Sequence, residues 1–196
     1  VQLDHLRQVV VKTVNFIRAH ALNHRQFKQF LDDIDAEYGD VLYYSEVRWL
    51  SRGNVLKRFF EIQQEIAMFM VHKDNEIEEL SDPAWIADLA FLVDITHELN
   101  LLNVKLQGRD QLITSMFDHV RGFETKLLLW ERQVRSGNYY HFHCCKSIKD
   151  TNANAVMNDE LYATKIKQLH SEFQRRFSDF RSNDCLFKLF SLPFSV

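Results

Sequence analysis

The chain has 196 residues, of which 46% are hydrophobic and 26% are charged, so it has the composition of an ordinary globular domain and not of a disordered protein. It contains only five glycines and two prolines, which excludes collagen-like and linker sequences and favours a helical fold. Its net charge of −3 argues against a general polyanion-binding protein.

The number of cysteines and the lengths of the apolar segments indicate the cellular compartment of the chain. Three cysteines occur, two of them adjacent (Cys144, Cys145 and Cys185), which is not a disulfide framework and favours a reducing compartment. Apolar runs stay well below 18 residues, and no signal peptide is visible, so we expect no membrane association. The first residue is Val1 and not Met, which indicates an excised piece or a partial reading frame.

Apolar residues at helical spacing predict six helices, the first over about residues 4–21. The second is predicted to begin at the cap Asn23 and to end at Gly39. Residues 41–50 show no helical stripe, so we expect this segment to be extended or irregular. Ser51 is then a suitable cap for a long third helix.

The second half of the chain predicts three further helices. The fourth begins at Asp82-Pro83 and is apolar on much of its circumference, so we place it at the centre of a bundle. Asp110 caps the fifth helix, and the sixth runs over about residues 158–180. The least regular stretch, residues 139–158, is predicted to be a long loop.

These elements predict an all-α fold, a multi-helix bundle in which consecutive helices are mostly antiparallel. We expect one helical domain over residues 1–182, followed by a truncated apolar tail over residues 183–196.

Motifs of the common enzyme and metal-binding classes are missing from the sequence: it has no phosphate-binding glycine loop, GxSxG, HExxH or EF-hand loop. Its acidic clusters lie among polar residues, so we interpret them as solvated faces and not as magnesium sites (Asp32, Asp33 and Asp35; Glu76, Glu78 and Glu79). We expect no cofactor.

A group of histidines and cysteines is the most metal-like cluster (His141, His143, Cys144 and Cys145). Its spacing differs from that of zinc fingers, and Cys185 or His170 would have to complete a site in space. We interpret these residues as part of a loop, with zinc binding and a Cys–His catalytic pair as the alternatives.

The segment from Glu46 to Phe60 combines an aromatic residue with several cations just before and within a predicted helix. Basic side chains there could contact phosphates, and a tryptophan could stack on an unpaired base for roughly 1–3 kcal/mol. The candidate DNA-binding residues are Arg48, Trp49, Ser51, Arg52, Lys57 and Arg58. The alternative is that Trp49 is a core anchor and that the arginines pair with Glu46 or Glu61.

This segment resembles the RW-containing motif in the insertion domain of hAT-superfamily transposases. The wider chain is similar to vertebrate proteins derived from such transposases, of the zinc finger BED domain-containing and general transcription factor II-I repeat domain-containing types. The resemblance covers nearly the whole chain and rests on the stretches VKTVNFIRAHALNHRQFKQFL, LDDIDAEYGDVLYYSEVRWLSRGNVLKRFFEI, LSDPAWIADLAFLVDITHELNLLNVKLQG, FSDF and LFKLFSLPF.

The resemblance implies a helical domain inserted into an RNase H-like core whose two Asp and one Glu bind divalent metal. The residues matched here lie between the second Asp and the Glu, so we expect no catalytic residue and no enzymatic activity in this chain. In the family, the Trp of the RW motif stacks on a base flipped out at the hairpin step, a role that falls on Trp49.

Two functions follow from these observations. The first is a helical domain of a domesticated or decayed transposase that assists DNA-end handling, in contact with hairpin DNA or a flipped base. The second is a helical module for protein partners or for homo-oligomers, without a DNA role. The family implies a nuclear protein, although the sequence contains no clear basic import cluster.

Overall fold

The computed structural model describes residues 2–19, 21–42, 49–107, 112–152 and 155–182, and it is helical in most of them. These residues form nine α-helices and one 3-10 helix, and they contain no strand, which confirms the all-α prediction. The α-helices are α1 (Gln2–Ala19), α2 (Ala21–Asp33), α3 (Trp49–Glu61), α4 (Gln63–His72), α5 (Pro83–Leu106), α6 (Ile113–Arg135), α7 (His143–Thr151), α8 (Asp159–Arg176) and α9 (Ser178–Ser182), and the 3-10 helix is Glu78–Ser81. In the described part of the chain, no helix has the length and apolar character needed to cross a membrane.

The α-helices outnumber the six predicted ones because two of the predicted helices are interrupted and one helix, α7, lies in a predicted loop. The backbone of Ile62 leaves the helical region (φ −116°, ψ 26°) and separates α3 from α4, and Phe177 separates α8 from α9 in the same way. The apolar stripe continues across the first interruption, since Ile62 and Ile66 are both buried. Periodicity alone therefore could not reveal the break.

The second helix also differs at both ends from its prediction. It begins at Ala21, and Asn23 does not cap it, because the Asn23 side chain donates a hydrogen bond to the Phe16 carbonyl at 3.2 Å. It ends at Asp33, well before Gly39, and a left-handed residue, Asp35 (φ 55°), follows its end. Aspartate tolerates this conformation better than most residues other than glycine, so an acidic residue ends the helix where a glycine was expected.

The predicted loop over residues 139–158 contains a helix, α7, so that prediction was wrong for its central part. The predicted start of α5 at Asp82-Pro83 is confirmed: Asp82 caps this helix, since its Oδ1 atom accepts a hydrogen bond from the Ala84 amide at 2.9 Å. In the segment predicted to be irregular, Val41 and Leu42 are non-helical, and residues 43–48 lie outside the described part. Helix α3 begins at Trp49 and not at Ser51. The predicted cap Asp110 and the tail over residues 183–196 also lie outside the described residues.

The chain divides into two compact units. Unit 1 comprises residues 1–97 and 142–157, and unit 2 comprises residues 98–141 and 158–196. In unit 1, buried aliphatic and aromatic side chains of α1 to α5 form the core, with Phe27 and Phe69 in edge contact at 4.9 Å. Nearly all residues of α5 from Trp85 to Thr96 are buried, which agrees with the central position predicted for this helix.

In unit 2, α6 packs along α8. Their facing side chains are apolar and aromatic, and Phe123 lies 5.2 Å from Phe173 and 5.8 Å from Trp130 between ring centroids. The spacing of apolar residues in both helices predicts this face, since Phe117, Val120 and Leu127 of α6 are all buried. The same spacing predicts that Ile113 also points inward, but this prediction was wrong: Ile113 is the first residue of α6 and is 56% exposed.

Candidate nucleic-acid interface

Five of the six residues predicted to contact DNA belong to α3. Arg48 lies outside the described residues. Trp49, Ser51 and Arg52 belong to the first turn of α3, and their side chains are outside the described part of the structure. Only two of the six predicted residues, Lys57 and Arg58, have described side chains, and these lie in the second half of the helix.

Arg58 makes contacts with two other parts of unit 1. Its guanidinium carbon lies over the Tyr38 ring at 3.9 Å from the centroid, and its Nη1 atom donates to the Asp40 carbonyl oxygen at 3.4 Å. Its Nε atom lies 3.4 Å from a carboxylate oxygen of Glu61, one turn along the helix. The side chain is only 26% exposed, so Arg58 holds α3 against the segment that follows α2.

Lys57 is held less firmly. Its Nζ atom lies 3.8 Å from the other oxygen of Glu61, and its side chain is 56% exposed. With the Glu61 carboxylate as the largest cause, the pKa of the Tyr38 hydroxyl is raised above 10.0. The alternative that the arginines of this segment pair with Glu46 or Glu61 therefore describes Arg58, and Lys57 lies near the same Glu61 carboxylate.

Asp40 organises this region, and sequence reasoning did not identify it. The His24 Nε2 atom lies 2.8 Å from Asp40 Oδ2, and Arg18 Nη1 donates to the same oxygen at 3.3 Å and also to the Val41 carbonyl oxygen. Together with Arg58, these contacts join α1, α2 and α3 immediately before the predicted DNA-binding segment. No local motif marks them, because the partners are separated by 16 to 22 residues in the chain.

Three of the four residues considered as a metal cluster, His143, Cys144 and Cys145, lie at the start of α7, where a buried carboxylate from α5 accepts two backbone amides. Asp94 Oδ1 accepts a hydrogen bond from the Cys144 amide at 3.1 Å, and Asp94 Oδ2 accepts one from the Cys145 amide at 3.0 Å. Asp94 is only 7% exposed, and burial raises the pKa of its carboxyl group. Its position among apolar residues of α5 is the one sequence signal that could have revealed a buried partner.

The described residues of this cluster do not form a metal site. The centroid of the His141 ring lies 6.4 Å from that of Trp130. Among the described ranges, no three His, Cys, Asp or Glu side chains are grouped so that they could hold a metal ion. Cys185 lies outside those ranges.

The two thiols of α7 are held in their protonated form. Burial, followed by the neighbouring Asp94 carboxylate, raises the pKa of Cys144 from 9.0 to about 12 and also raises that of Cys145. Because the thiolate is the reactive species, neither cysteine has the properties of a nucleophile, which weighs against a catalytic Cys–His pair.

We expect the stability of the chain to fall as the pH rises above 9. The folded-state pKa of Cys144 lies above its ordinary value of 9.0, so the stabilising contribution is complete below that pH and is lost as the pH approaches 12. Urea denaturation followed by circular dichroism at about pH 7 and about pH 10 measures the loss. A variant with Cys144→Ala and Cys145→Ala should lose less stability over this interval, and an equal loss in both proteins would contradict the prediction.

Comparison with known proteins identifies relatives over the whole chain. A family model described as the FAM200/GTF2IRD2 helical domain matches residues 1–135. The chain is 45% identical over 195 residues to general transcription factor II-I repeat domain-containing protein 2 from Bos taurus, and 43% identical to the protein of the same name from Mus musculus. These matches cover all of this chain but only 20% of each relative, so the chain spans about a fifth of their length. No solved structure gives a significant match.

Proposed function

Because the chain belongs to the FAM200/GTF2IRD2 helical domain family, we propose that it is the helical module of a nuclear protein derived from a hAT-type transposase, and that it assists in handling DNA ends. The names of its relatives refer to a general transcription factor, which supports a nuclear role associated with DNA. The similarity to the insertion domain of hAT transposases supports the more specific role. The chain would act beside a catalytic core and carry no catalytic residue of its own.

The observation that carries this proposal is the position of residues 49–52 at the N-terminal turn of an anchored helix. The first amides of a helix have no partner within it, and they favour the approach of a phosphate. The contacts of Arg58 with Tyr38 and Asp40 fix the same helix on the rest of unit 1. A base stacked on Trp49 would therefore meet a rigid support.

The six candidate residues take different parts in this proposal. Trp49 stacks on an unpaired base, and Arg48, Ser51 and Arg52 contact the backbone phosphates on either side of it. The exposed Lys57 supplies a further phosphate contact by exchanging its long ion pair with Glu61. Arg58 is assigned to anchoring the helix, because its side chain is 26% exposed and already makes three contacts.

The experiment compares the full chain with its Trp49→Ala variant in binding to hairpin-mismatch DNA and to single-stranded DNA. Since base stacking on an aromatic ring contributes roughly 1–3 kcal/mol, we expect the variant to bind about ten-fold more weakly. Trp49→Phe, which keeps an aromatic face, should recover most of the affinity. Fluorescence anisotropy at two salt concentrations gives the dissociation constants, and circular dichroism verifies that each variant is folded.

The salt dependence separates phosphate contacts from other causes of binding. Affinity should fall steeply with salt, and the slope should become shallower by about one unit in Lys57→Ala. The matched control is Lys165→Ala, a lysine that hydrogen-bonds Gln168 on α8 and should leave the slope unchanged. Absence of DNA binding by the folded chain would overturn the proposal for this chain.

A second candidate is a module for protein partners, and the surface of α4 favours it. Met68 and Val71 on this helix are 52% and 55% exposed, although Ile66, Phe69 and Met70 of the same helix are buried. A helix that is apolar around its circumference is usually covered on all sides. If DNA binding is absent, a concentration-dependent increase in mass in sedimentation experiments that Met68→Glu abolishes would support this candidate in its homo-oligomeric form.

A further inference from the structure

Three exposed serines on α8 and α9 have the same local geometry. Each Oγ atom donates a hydrogen bond to a backbone carbonyl three or four residues earlier. The acceptor is the Lys167 carbonyl for Ser171 (3.1 Å), the Arg175 carbonyl for Ser178 (3.0 Å) and the Ser178 carbonyl for Ser182 (3.2 Å). A difference in the rate at which an enzyme modifies these serines must therefore come from the residues next to them in the chain.

Only Ser178 follows a pair of arginines, in the sequence Arg175-Arg176-Phe177-Ser178. The Arg175 and Arg176 side chains are 68% and 70% exposed. Their contacts with Glu172, at 2.9 Å and 3.5 Å, are surface ion pairs of the kind that exchange easily. Two adjacent guanidinium groups in this position complement an enzyme subsite lined with carboxylates, which would bind them through charge-assisted hydrogen bonds.

The helical backbone is interrupted just before Ser178, and the short helix that contains Ser178 lies at the surface. Helix α8 ends at Arg176, Phe177 lies outside the helical region (φ −105°, ψ 20°), and no residue of α9 is buried. The contacts that hold α9 to α6 include the stacked rings of Phe180 and Phe117, 5.7 Å apart, and the ion pair between Arg181 and Glu124. Segments with so few buried groups open locally at low cost, which allows the extended conformation that a kinase cleft requires.

We propose that Ser178 is a phosphorylation site for a basophilic protein serine kinase, which reads Arg175 and Arg176. The Ser178 hydroxyl oxygen attacks the γ-phosphorus of ATP, the Oγ–P bond forms and the bond to the β-phosphate oxygen breaks. The hydroxyl proton passes to a carboxylate base of the kinase, and ADP leaves. This proposal does not depend on the DNA-binding function.

Phosphorylation would change the ion pairs of this surface. The phosphate carries a charge of about −1.5 to −2 and accepts several hydrogen bonds, so it competes with Glu172 for Arg175 and Arg176. The added phosphate makes the net charge of the segment around Ser178 more negative. The buried core of unit 2 does not change.

The test incubates the full chain with magnesium ATP and the purified catalytic subunit of cAMP-dependent protein kinase as a basophilic probe, followed by peptide mapping. We expect phosphate on Ser178 to appear at least about ten-fold faster than on Ser171 or Ser182, because only Ser178 offers the arginine pair. The double variant Arg175→Gln, Arg176→Gln should lower the rate at Ser178 by a similar factor. The matched double variant Lys165→Gln, Lys167→Gln, which changes two other cations of α8, should leave it unchanged.

Circular dichroism verifies that all variants remain folded, and a heat-unfolded sample provides the comparison for accessibility. Labelling of Ser178 in the folded chain with the expected arginine dependence supports the proposal. Labelling only in the unfolded sample, equal labelling of Ser171 or Ser182, or no effect of the arginine substitutions would overturn it.

Discussion

Replacing Asp94 with alanine is expected to lower the free energy of unfolding by about 3 kcal/mol. The substitution removes both acceptors of the Cys144 and Cys145 amides, which are the capping bonds that the structure shows at the start of α7. Each buried donor left without a partner costs about 1–3 kcal/mol, and relief of the desolvation of Asp94 offsets part of this loss. Asp94→Asn keeps one carbonyl acceptor, so we expect it to lose about half as much stability.

Urea denaturation followed by circular dichroism measures these losses. The matched control is Asp150→Ala, which makes the same change at an exposed position near the other end of α7 and should alter stability by less than about 0.5 kcal/mol. The thiols provide an independent measurement, because loss of the cap should expose Cys144 and Cys145 to a thiol reagent at neutral pH. Equal effects of the Asp94 and Asp150 substitutions would show that the cap is unimportant.

Replacing Arg58 with alanine is expected to cost about 2 kcal/mol of stability, whereas Lys57→Ala should cost less than about 0.5 kcal/mol. The two residues are adjacent in α3 and share the partner Glu61, but only Arg58 lies on the Tyr38 ring and bonds the Asp40 carbonyl. Arg58→Lys should recover less than half of the loss, since an ammonium group does not reproduce the planar stacking of a guanidinium.

Thermal and urea unfolding of the three variants test this assignment of Arg58 to anchoring. If Arg58→Ala left the stability unchanged and weakened only DNA binding, Arg58 would be a phosphate ligand, as its sequence context first indicated. A larger loss in Lys57→Ala than in Arg58→Ala would contradict the difference in burial between the two side chains.

The fold was predictable where it depends on the spacing of apolar residues. That spacing located α1, α5, α6 and α8 and most of their buried faces, because a helix that packs on one side shows it every three or four residues. It failed for α7, whose N-terminus is stabilised by Asp94, a residue about 50 positions earlier. It also failed at Ile62, where the apolar stripe continues although the helix does not.

For the candidate interface, the types of residue could be predicted from the sequence, but the contacts of their side chains could not. Sequence placed cations and a tryptophan near the start of a helix, and α3 does begin there. The different environments of Lys57 and Arg58 depend on Tyr38 and Asp40, which approach α3 from a distant part of the chain. Such contacts between residues far apart in the sequence leave no periodic signal.

Unit 1 is built from two separate stretches of the chain, residues 1–97 and 142–157, and this separation affects its folding during synthesis. At about 5–20 residues per second, a ribosome needs several seconds to pass from Asp94 to Cys145. During that interval the nascent chain already contains most of the apolar core of unit 1 but not the amides that Asp94 accepts from. The first stretch is therefore synthesised before the last helix of unit 1 exists, and Asp94 then lacks its two amide partners. A fragment that ended at Arg135, where the family match ends, would remain in that state.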